Sequence, residues 1–545
     1  MMFEANRIES RASAISSQTG TMQSTRRSFL CSLTTAAVAA PSVSAGLQGN
    51  GKRPNMLIIM ADDMGFSDIG CFGSEIATPN IDRLAQRGVR FTHFYNCARC
   101  CPSRAALLTG LDNHAAGVGD MVQSRDIPAY EGYLNQNCVT LAEALRPAGY
   151  HPLMVGKWHV GENRGHWPTD RGFEHYFGLI SGACNYFRLD PERKMALDGE
   201  PWHPPEQGFY MTDAFTDHAV SLLDDYGRRQ DPFLLYLAYT APHWPLHAWP
   251  DDIARYRGKY KDGWDRLRLE RHHRQLEMGI VDKRWPLTPR DRDVPAWEDV
   301  DDKDDKDHRM ATYAAQITRM DDGIGRVMDK LRQVGQEDNT LVLFLSDNGA
   351  CHEIVNRGKP GAEIGSADSF LSYGVGWANA GNTPFRLYKH WTHEGGIAAP
   401  FIASWPNVIK RQNSLFHQPA HITDIMPTAL EMAGAQYPKT FQGNDITPTQ
   451  ARSLLPIFRT QRWSGHEALF WEHEGNRAVH QGNWKLVNRF PDRWELYDLD
   501  ADRTELKDRS AEEPDRVRAM SSLYEQWAHE HGVIPFQNLP KAKRV

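Results

Sequence analysis

The stretch "NMLIIMADDM" (Asn55–Met64) carries the pattern that decides the fold. Residues Asn55–Ala61 form a largely continuous apolar run rather than an alternating one. Such a run is typical of a central strand that is covered on both faces of its sheet. Because Asp62 and Asp63 follow at once, the stretch predicts a buried strand whose carboxyl end presents two acidic residues.

Three more apolar runs have the same character, and helical segments lie between them. The runs are "HPLMVG" (His151–Gly156), "FLLYLAY" (Phe233–Tyr239) and "LVLFLS" (Leu341–Ser346). The segment "TPNIDRLAQRG" predicts a helix with Thr78 as cap, Pro79 at its first position and Gly88 as its end. Thr140–Gly149 and Met310–Gly335 are the other helical segments. The alternation predicts an α/β fold with a large, mostly parallel central sheet flanked by helices.

Polar groups follow each of the four predicted strands. They are Asp62 and Asp63 after the first, Lys157 and His159 after the second, His243 after the third, and Asp347 and Asn348 after the fourth. Each piece alone is more often a cap or a turn than a ligand. Ligands of open α/β sheets bind outside the carboxyl ends of the strands, so together these groups predict a site. Carboxylate and amide oxygens suit Ca²⁺ or Mg²⁺ rather than Zn²⁺, and the basic groups suit an oxyanion.

The cysteine-rich stretch "NCARCCPSRAALLTG" (Asn96–Gly110) holds three of the eight cysteines. Pro102 suits the first turn of a helix, which places Cys100 at the helix N-terminus. Free N–H groups and the positive end of the helix dipole stabilise an anion there. Arg104 lies one turn further on the same face, and Gly110 predicts the end of the helix.

Several chemistries compete for these cysteines. A Cys97–Cys100 redox pair leaves the acidic groups unexplained. A zinc site needs a second ligand pair, and the spacing indicates none. A cysteine phosphatase loop needs a cysteine where Ala98 stands.

The run from Cys100 to Gly110 resembles the C-x-P-S-R-x-x-L-x-T-G signature of the formylglycine-dependent sulfatases, and more closely their bacterial arylsulfatase branch. Other segments resemble that family in the same order along most of the chain. They include "ADDMGFSDIGCFG", "GYHPLMVGKWHVG", "APHWPLHA", "LSDNGA" and "TPFRLYKHWTHEGG". The resemblance implies hydrolysis of sulfate esters on an alkaline-phosphatase-like sulfatase fold.

The resemblance also implies a role for each matching residue. Cys100 would be oxidised to Cα-formylglycine, whose hydrate is the nucleophile, while Cys101 occupies the variable position. Asp62, Asp63, Asp347 and Asn348, with the residue at position 100, would hold Ca²⁺ or Mg²⁺. Arg104 and Lys157 would stabilise nucleophile and sulfate, and His159 would be the base. His243 and Lys389 would act on the leaving oxygen, although Lys389 has a second basic neighbour in His390.

Three other functions stay open from the sequence. A phosphonate monoester or phosphodiester hydrolase of the same superfamily can share the signature and the metal. A glycan-specific sulfatase would act on a carbohydrate ester rather than a small aryl sulfate. A non-catalytic oxyanion or polysaccharide binder would keep Cys100 unconverted. Trp244, Trp249, Trp377 and Trp391 are candidates either for the pocket lining or for the core.

The composition argues against one class of partner, and the N-terminus predicts export. The net charge of −7 argues against a nucleic-acid partner. No apolar run is long enough for a membrane span in the mature chain. Arg26 and Arg27 precede a short apolar stretch and a small-residue cleavage site, which resembles a twin-arginine export signal. We expect a periplasmic or secreted protein, converted by a formylglycine maturation enzyme before it folds and then carried by the twin-arginine machinery.

Three segments complete the predicted organisation. Residues 1–45 are the signal segment, 46–462 the catalytic α/β domain, and 463–545 a C-terminal subdomain with a small antiparallel sheet and a helix from about Glu512 to His531. Within the catalytic domain, the charge- and proline-rich stretch Lys283–Arg309 predicts a solvated surface loop.

Overall fold

A computed structural model describes residues 53–543. The predicted signal segment, residues 1–45, lies outside the described residues. Among the helices of the described part of the chain, none is both long and apolar enough to cross a membrane.

The strands of residues 53–543 are, in chain order, β1 (Asn55–Ala61), β2 (Val89–Phe91), β3 (Phe94–Tyr95), β4 (His151–Gly156), β5 (His175–Leu179), β6 (Met195–Leu197), β7 (Glu200–Pro201), β8 (Phe233–Ala238), β9 (Thr340–Ser346), β10 (Phe401–Ser404), β11 (Ser414–Phe416), β12 (Ala420–His421), β13 (Thr440–Phe441), β14 (Asn444–Asp445), β15 (Leu469–His473), β16 (Asn476–Gln481), β17 (Trp484–Asn488) and β18 (Trp494–Asp498).

The α-helices of the same residues are α1 (Pro79–Gln86), α2 (Cys100–Thr109), α3 (Leu141–Leu145), α4 (Met211–Tyr226), α5 (Pro250–Ala254), α6 (Gly263–Glu277), α7 (Lys303–Gln333), α8 (Val375–Gly381), α9 (Glu394–Ile397), α10 (Ile425–Ala433), α11 (Leu455–Thr460) and α12 (Pro514–Glu530).

Ten strands form one large mixed sheet in the order β11-β2-β10-β9-β1-β8-β4-β5-β6-β7. Its centre is parallel: β1 pairs with β8 and β9, and β4 pairs with β8 and β5, all in the same direction. Strand β10 and the β6–β7 edge run antiparallel to their neighbours. The α/β fold with a mostly parallel centre, expected from the sequence, is confirmed.

The continuous apolar runs have a direct physical cause in this sheet. Alternate residues of β1 enter two different hydrophobic cores, Leu57 and Ile59 on one face and Met56, Ile58 and Met60 on the other. All five are completely buried. Burying a side chain of this size contributes about 1.5–3 kcal/mol, so both faces of the strand select for apolar residues.

Two local expectations were wrong. The stretch Lys283–Arg309 is not a loop throughout, because α7 begins at Lys303, where the Asp302 side chain caps the helix through the backbone N–H of Asp305. Within the remaining loop Trp297 is buried and donates from Nε1 to the carbonyl of Lys261. Thr78 precedes α1 but makes no capping bond, because its hydroxyl instead accepts from the N–H of Gly70.

The C-terminal segment forms the small sheet β15-β16-β17-β18, with antiparallel pairing throughout, and α12 packs against it. A buried ion cluster, which we call the anchor cluster, joins this sheet to the rest of the chain: Glu394, Lys485, Arg503 and Glu505. Lys485 Nζ lies 2.9 Å from Glu394 and 2.8 Å from Glu505. The anchor cluster fixes β17 against α9, close to the carboxyl edge of the large sheet.

Candidate active site

The four strands whose ends carry polar residues are adjacent in the sheet, in the order β9-β1-β8-β4. They are parallel, so their carboxyl ends meet at one edge. The residues that follow them come together there, as the strand-end pattern predicts. Helix α2 brings Cys100 and Arg104 to the same edge, and both are buried.

Four oxygen-bearing side chains form the floor of this site: Asp62, Asp63, Asp347 and Asn348. The backbone N–H of Asp63 donates to Asp347 Oδ1 at 3.1 Å, and Asn348 Nδ2 donates to Asp63 Oδ1 at 2.7 Å. Asp62 Oδ1 and Asn348 Oδ1 are buried and accept no hydrogen bond. Buried polar oxygens are normally satisfied, so this pair of acceptors lacks a hydrogen-bonding partner.

Three cationic side chains lie against the carboxylates, and each carboxylate has at least one of them as a partner. Lys157 Nζ lies 2.6 Å from Asp62 Oδ2. Arg104 Nη2 lies 2.7 Å from Asp347 Oδ2 and 3.6 Å from Asp62 Oδ1. Lys389 Nζ lies 2.8 Å from Asp63 Oδ1. The sequence left Lys389 and His390 as competing neighbours, and the structure places Lys389 on the oxygen cluster.

Two histidines border the same space. His243 Nε2 lies 3.2 Å from Asp63 Oδ2 and 3.4 Å from Lys389 Nζ. His159 Nδ1 lies 3.5 Å from Cys100 Sγ and 3.4 Å from Cys101 Sγ. Every residue of the expected site is therefore in direct contact with another member.

Burial and charge set the protonation of the site. Burial raises the pKa of Asp347 to about 8, and the nearby Asp62 adds to this effect. Burial also raises the pKa of Asp62, against Lys157 and Arg104. Asp63 behaves in the opposite way, because His243 and Lys389 outweigh its burial and lower its pKa. Burial lowers the pKa of both His159 and His243 to about 4, which leaves their rings uncharged at neutral pH.

The two adjacent thiols differ strongly. A hydrogen bond from Cys101, assisted by Lys157, His159 and Lys389, holds the pKa of Cys100 well below its usual value despite burial. Burial raises the pKa of Cys101 well above it. The thiolate is the reactive form of cysteine, so Cys100 is chemically distinguished from its neighbour.

Strained backbone marks two of the site residues. Asp63 has φ 66° and His159 has φ 58°, in the left-handed region that non-glycine residues rarely adopt. Asp63 is the second residue after β1, and His159 is the third residue after β4. Such strain persists where the surrounding structure requires a particular side-chain direction.

Further residues close to the site were not identified from the sequence. Glu353 pairs with Arg99 at 2.9 Å and accepts from Trp244 Nε1 at 2.8 Å. Arg99 and Lys389 hold the pKa of Glu353 well below its usual value despite burial, Lys389 having the larger effect. The sequence did offer one signal for them, because Arg99 directly precedes Cys100 and Glu353 follows Asn348 by five positions. Of the four tryptophan candidates, Trp377 is completely buried in the core.

The redox and zinc interpretations receive little structural support. All seven cysteines of the described residues are free thiols, and Cys97 lies in the core 4.0 Å from His421 Nε2. The structure does bring His159 beside Cys100 and Cys101, a group that the spacing had not indicated. A structural zinc site takes four protein ligands, and the described residues provide three here.

Comparisons with known proteins show the family of the chain. The Sulfatase family profile matches residues 54–435, and a profile of the C-terminal part of N-sulphoglucosamine sulphohydrolase matches residues 385–529. An uncharacterised sulfatase of Schizosaccharomyces pombe is 35% identical over 89% of this chain and 95% of its own length. An arylsulfatase of Klebsiella aerogenes is 35% identical over 74% of this chain and 92% of its own.

Among solved structures, Ps i-CgsB in complex with k-i-k-neocarrahexaose superposes with a TM-score of 0.67 at 25% identity, over 90% of this chain and 95% of that one. With the fold and these matches in agreement, the chain belongs to the sulfatase family and is a sulfuric ester hydrolase.

Proposed function

We propose that the chain hydrolyses sulfate esters at the Cys100 site, with residue 100 converted to Cα-formylglycine and with a bound divalent cation, Ca²⁺ or Mg²⁺. The observation that carries the proposal is the position of Cys100. It begins α2, next to His159, between three cations and a cluster of carboxylates. Conversion of residue 100 would supply a hydrated aldehyde as nucleophile: one hydroxyl would displace the alcohol from sulfur, and loss of the proton of the other would expel sulfate and restore the aldehyde.

The residues present fit a divalent cation. Asp62 Oδ1 and Asn348 Oδ1 are free acceptors, and Asp63 and Asp347 lie directly beside them. Hard oxygen donors of this kind suit Ca²⁺ or Mg²⁺. The raised pKa values of Asp62 and Asp347 reflect carboxylates crowded in a dry site, where added positive charge favours their ionised forms. A cation would polarise the sulfate oxygens when bound.

The protein's own groups then divide the remaining tasks. His159 is uncharged at neutral pH and lies beside position 100, so it can accept a proton there. Arg104 and Lys157 bring positive charge toward the nucleophile and the sulfate. Lys389 and His243 are 3.4 Å apart and form the group that stabilises or protonates the leaving oxygen.

The test uses the protein isolated from its native host. Mass spectrometry of the peptide that spans Asn96–Arg104 should show conversion of Cys100. Cys100→Ala should abolish turnover of 4-nitrophenyl sulfate, whereas the matched variant Cys101→Ala should retain much of it. An unconverted Cys100, or equal activity in Cys100→Ala, would refute the proposal. Faster turnover of a phosphodiester or a phosphonate monoester than of any sulfate ester would favour the superfamily alternative.

Export and maturation complete the proposal. Conversion by a maturation enzyme before folding, followed by twin-arginine export to the periplasm or medium, is supported by the sequence around Arg26 and Arg27. The segment boundaries at residues 45 and 462 belong to the same proposal. A carbohydrate ester as substrate is compatible with the complex of the similar structure Ps i-CgsB with k-i-k-neocarrahexaose.

A further inference from the structure

Three side chains beside the catalytic pocket take no part in the chemistry above: His390, His473 and Glu474. His390 follows Lys389, and its backbone N–H donates to the carbonyl of Ala98 at 2.8 Å. His473 ends β15, and Glu474 begins the turn to β16. One ligand atom of each of the three lies within 4.8 Å of the other two. The C-terminal sheet thus contributes a polar cluster next to the N-terminus of α2.

His473 is the unusual member of this cluster. Its side chain is completely buried, and neither ring nitrogen has a hydrogen-bond partner. Burial lowers its pKa to about 3, so the ring is neutral, with one N–H donor and one acceptor nitrogen. Burying this donor and this acceptor without hydrogen-bond partners costs stability. A ring in this state is suited to a polar ligand.

Glu474 and Gly475 form the two-residue turn between β15 and β16, so the φ of 47° at Glu474 is ordinary turn geometry. The side chains of His390 and Glu474 meet, with His390 Nδ1 at 3.0 Å from Glu474 Oε2. They are 24% and 30% exposed, so one side of the cluster is partly open.

Two imidazoles and a carboxylate are also the composition of a transition-metal site, and Asn476 decides against that interpretation. Its Oδ1 accepts from the N–H of Phe490 at 3.1 Å, so its Nδ2 faces His390 Nε2 at 3.2 Å. His390 Nε2 must then be the acceptor, and Nδ1 carries the hydrogen toward Glu474. A metal on Nδ1 would move that hydrogen to Nε2, against the amide NH₂ of Asn476.

A hydroxyl group matches the cluster better than a metal ion does. Glu474 Oε1 and His473 Nε2 are 4.0 Å apart. One hydroxyl oxygen can bridge this gap with two hydrogen bonds of about 2.8 Å, donating to the carboxylate and accepting from the imidazole. A plain aryl ring offers neither bond.

We propose that His473 and Glu474, positioned by His390, form a specificity subsite for a hydroxyl group of the leaving alcohol, so that the physiological substrate is a carbohydrate sulfate. This inference rests on the sulfatase function proposed above and deepens it. The subsite lies beside the catalytic pocket, because His390 directly follows Lys389 and its backbone N–H donates to the carbonyl of Ala98, two residues before Cys100.

The test compares two substrate types on the full chain with residue 100 converted. The substrates are 4-nitrophenyl sulfate and a panel of glucose, galactose, N-acetylglucosamine and N-acetylgalactosamine monosulfates. Glu474→Gln keeps the shape of the side chain and removes its charge. We expect kcat/KM for the hydrolysed sugar sulfates to fall about 10- to 100-fold, the usual effect of losing a hydrogen bond to a charged group. For 4-nitrophenyl sulfate we expect less than about a threefold change, because no bond to this subsite is lost.

A second variant and a control keep the result interpretable. His473→Phe fills the same space without ring nitrogens and should produce the same substrate-dependent split. Glu431→Gln removes a surface carboxylate of α10 that is 3.7 Å from Arg459, and it should change neither substrate's kinetics.

Equal losses on both substrate types would overturn the subsite, as would a wild-type protein that hydrolyses 4-nitrophenyl sulfate but no sugar sulfate. Stoichiometric zinc that the wild type binds and His473→Phe does not would also overturn it, in favour of a metal site. A converted wild type that is inactive on every ester would instead refute the sulfatase proposal itself.

Discussion

The catalytic site and the anchor cluster both consist of buried side chains of opposite charge, but they serve different functions. In the anchor cluster, Lys485 sits between Glu394 and Glu505, and Arg503 donates from Nε to Glu394 at 2.8 Å and from Nη1 to the carbonyl of Thr92 at 2.6 Å. The Arg503 guanidinium also lies over the Phe385 ring. Each charge there has its counter-charge at contact distance.

The catalytic site leaves two oxygen acceptors without a hydrogen bond, whereas the atoms without one in the anchor cluster are the donor Arg503 Nη2 and Glu505 Oε1, which lies 2.8 Å from Lys485 Nζ. Asp62 Oδ1 accepts no hydrogen bond, with Arg104 Nη2 3.6 Å away, and Asn348 Oδ1 accepts none. The anchor carboxylate Glu394 has its pKa lowered to about 2, because Lys485 and Arg503 outweigh its burial, whereas burial raises the pKa of Asp347 to about 8. The difference teaches that the anchor cluster stabilises the fold by itself, while the catalytic site is completed by what binds to it.

The largest test of this difference removes one charge from the catalytic site. Asp62→Asn should lower kcat on 4-nitrophenyl sulfate by at least about 10²–10³-fold, because it removes electrostatic stabilisation at the reacting groups. The substitution also leaves the buried Lys157 without its carboxylate partner at 2.6 Å, so the free energy of unfolding measured with a chelator should fall as well. Steady-state kinetics and denaturant unfolding measure both quantities.

The chelator supplies the matching control for Asp62→Asn. A cation present at about 100 times its Kd stabilises the native protein by about 2.7 kcal/mol. Chelation should therefore destabilise the wild type more than Asp62→Asn. Equal destabilisation of the two proteins would contradict a cation held by Asp62.

At the anchor cluster we expect a loss of stability without a loss of activity. Glu394→Gln leaves Lys485 and Arg503 with less negative charge in the interior, and breaking a buried pair of this kind costs about 3–5 kcal/mol. Denaturant unfolding should show this loss, while kcat of the folded fraction stays close to that of the wild type. The exposed pair Glu431–Arg459 provides a control, because Glu431→Gln should cost less than about 1 kcal/mol. A stable but inactive Glu394→Gln protein would show that the two clusters are not separable.

The catalytic site and the anchor cluster also differ in how well the sequence predicts them. The strands β1 and β4 were predicted with their observed bounds, because continuous apolar runs and the acidic or glycine residues after them are local signals. The position of Cys100 at the start of α2 followed from Pro102 in the same way. The acidic and amide residues, Lys157, His159 and His243 were predictable as a group because they follow strands, whereas Arg104 and Lys389 were assigned through the resemblance to the sulfatases.

Contacts between distant segments were not predictable. No local pattern links Glu394 to Lys485 or Arg503, more than 90 positions away. The pairing of Arg99 with Glu353 is likewise a long-range contact. The loop prediction at Lys283–Arg309 failed at its end for a related reason: charged residues in the first turns of α7 look like a solvated loop until the helix they begin is known.

His114 extends the comparison to a buried charge that titrates. Its Nδ1 lies 3.1 Å from Asp112 and its Nε2 lies 2.9 Å from Glu472, so it ties the loop after α2 to β15. Although burial lowers the pKa of His114, the hydrogen bonds to Asp112 and Glu472 prevail and raise it to about 9. This imidazolium has both its N–H donors satisfied inside the protein.

A raised pKa in the folded state has a definite sign for stability. The contribution of His114 is fully present below pH 6.5, its unfolded value, and is lost as the pH rises through about 9. A shift from 6.5 to about 9 corresponds to about 3 kcal/mol. The difference in unfolding free energy between the wild type and His114→Gln should therefore shrink by about this amount between pH 6 and pH 10. Urea unfolding at several pH values measures it, and a pH-independent difference would show that His114 is neutral in the folded protein.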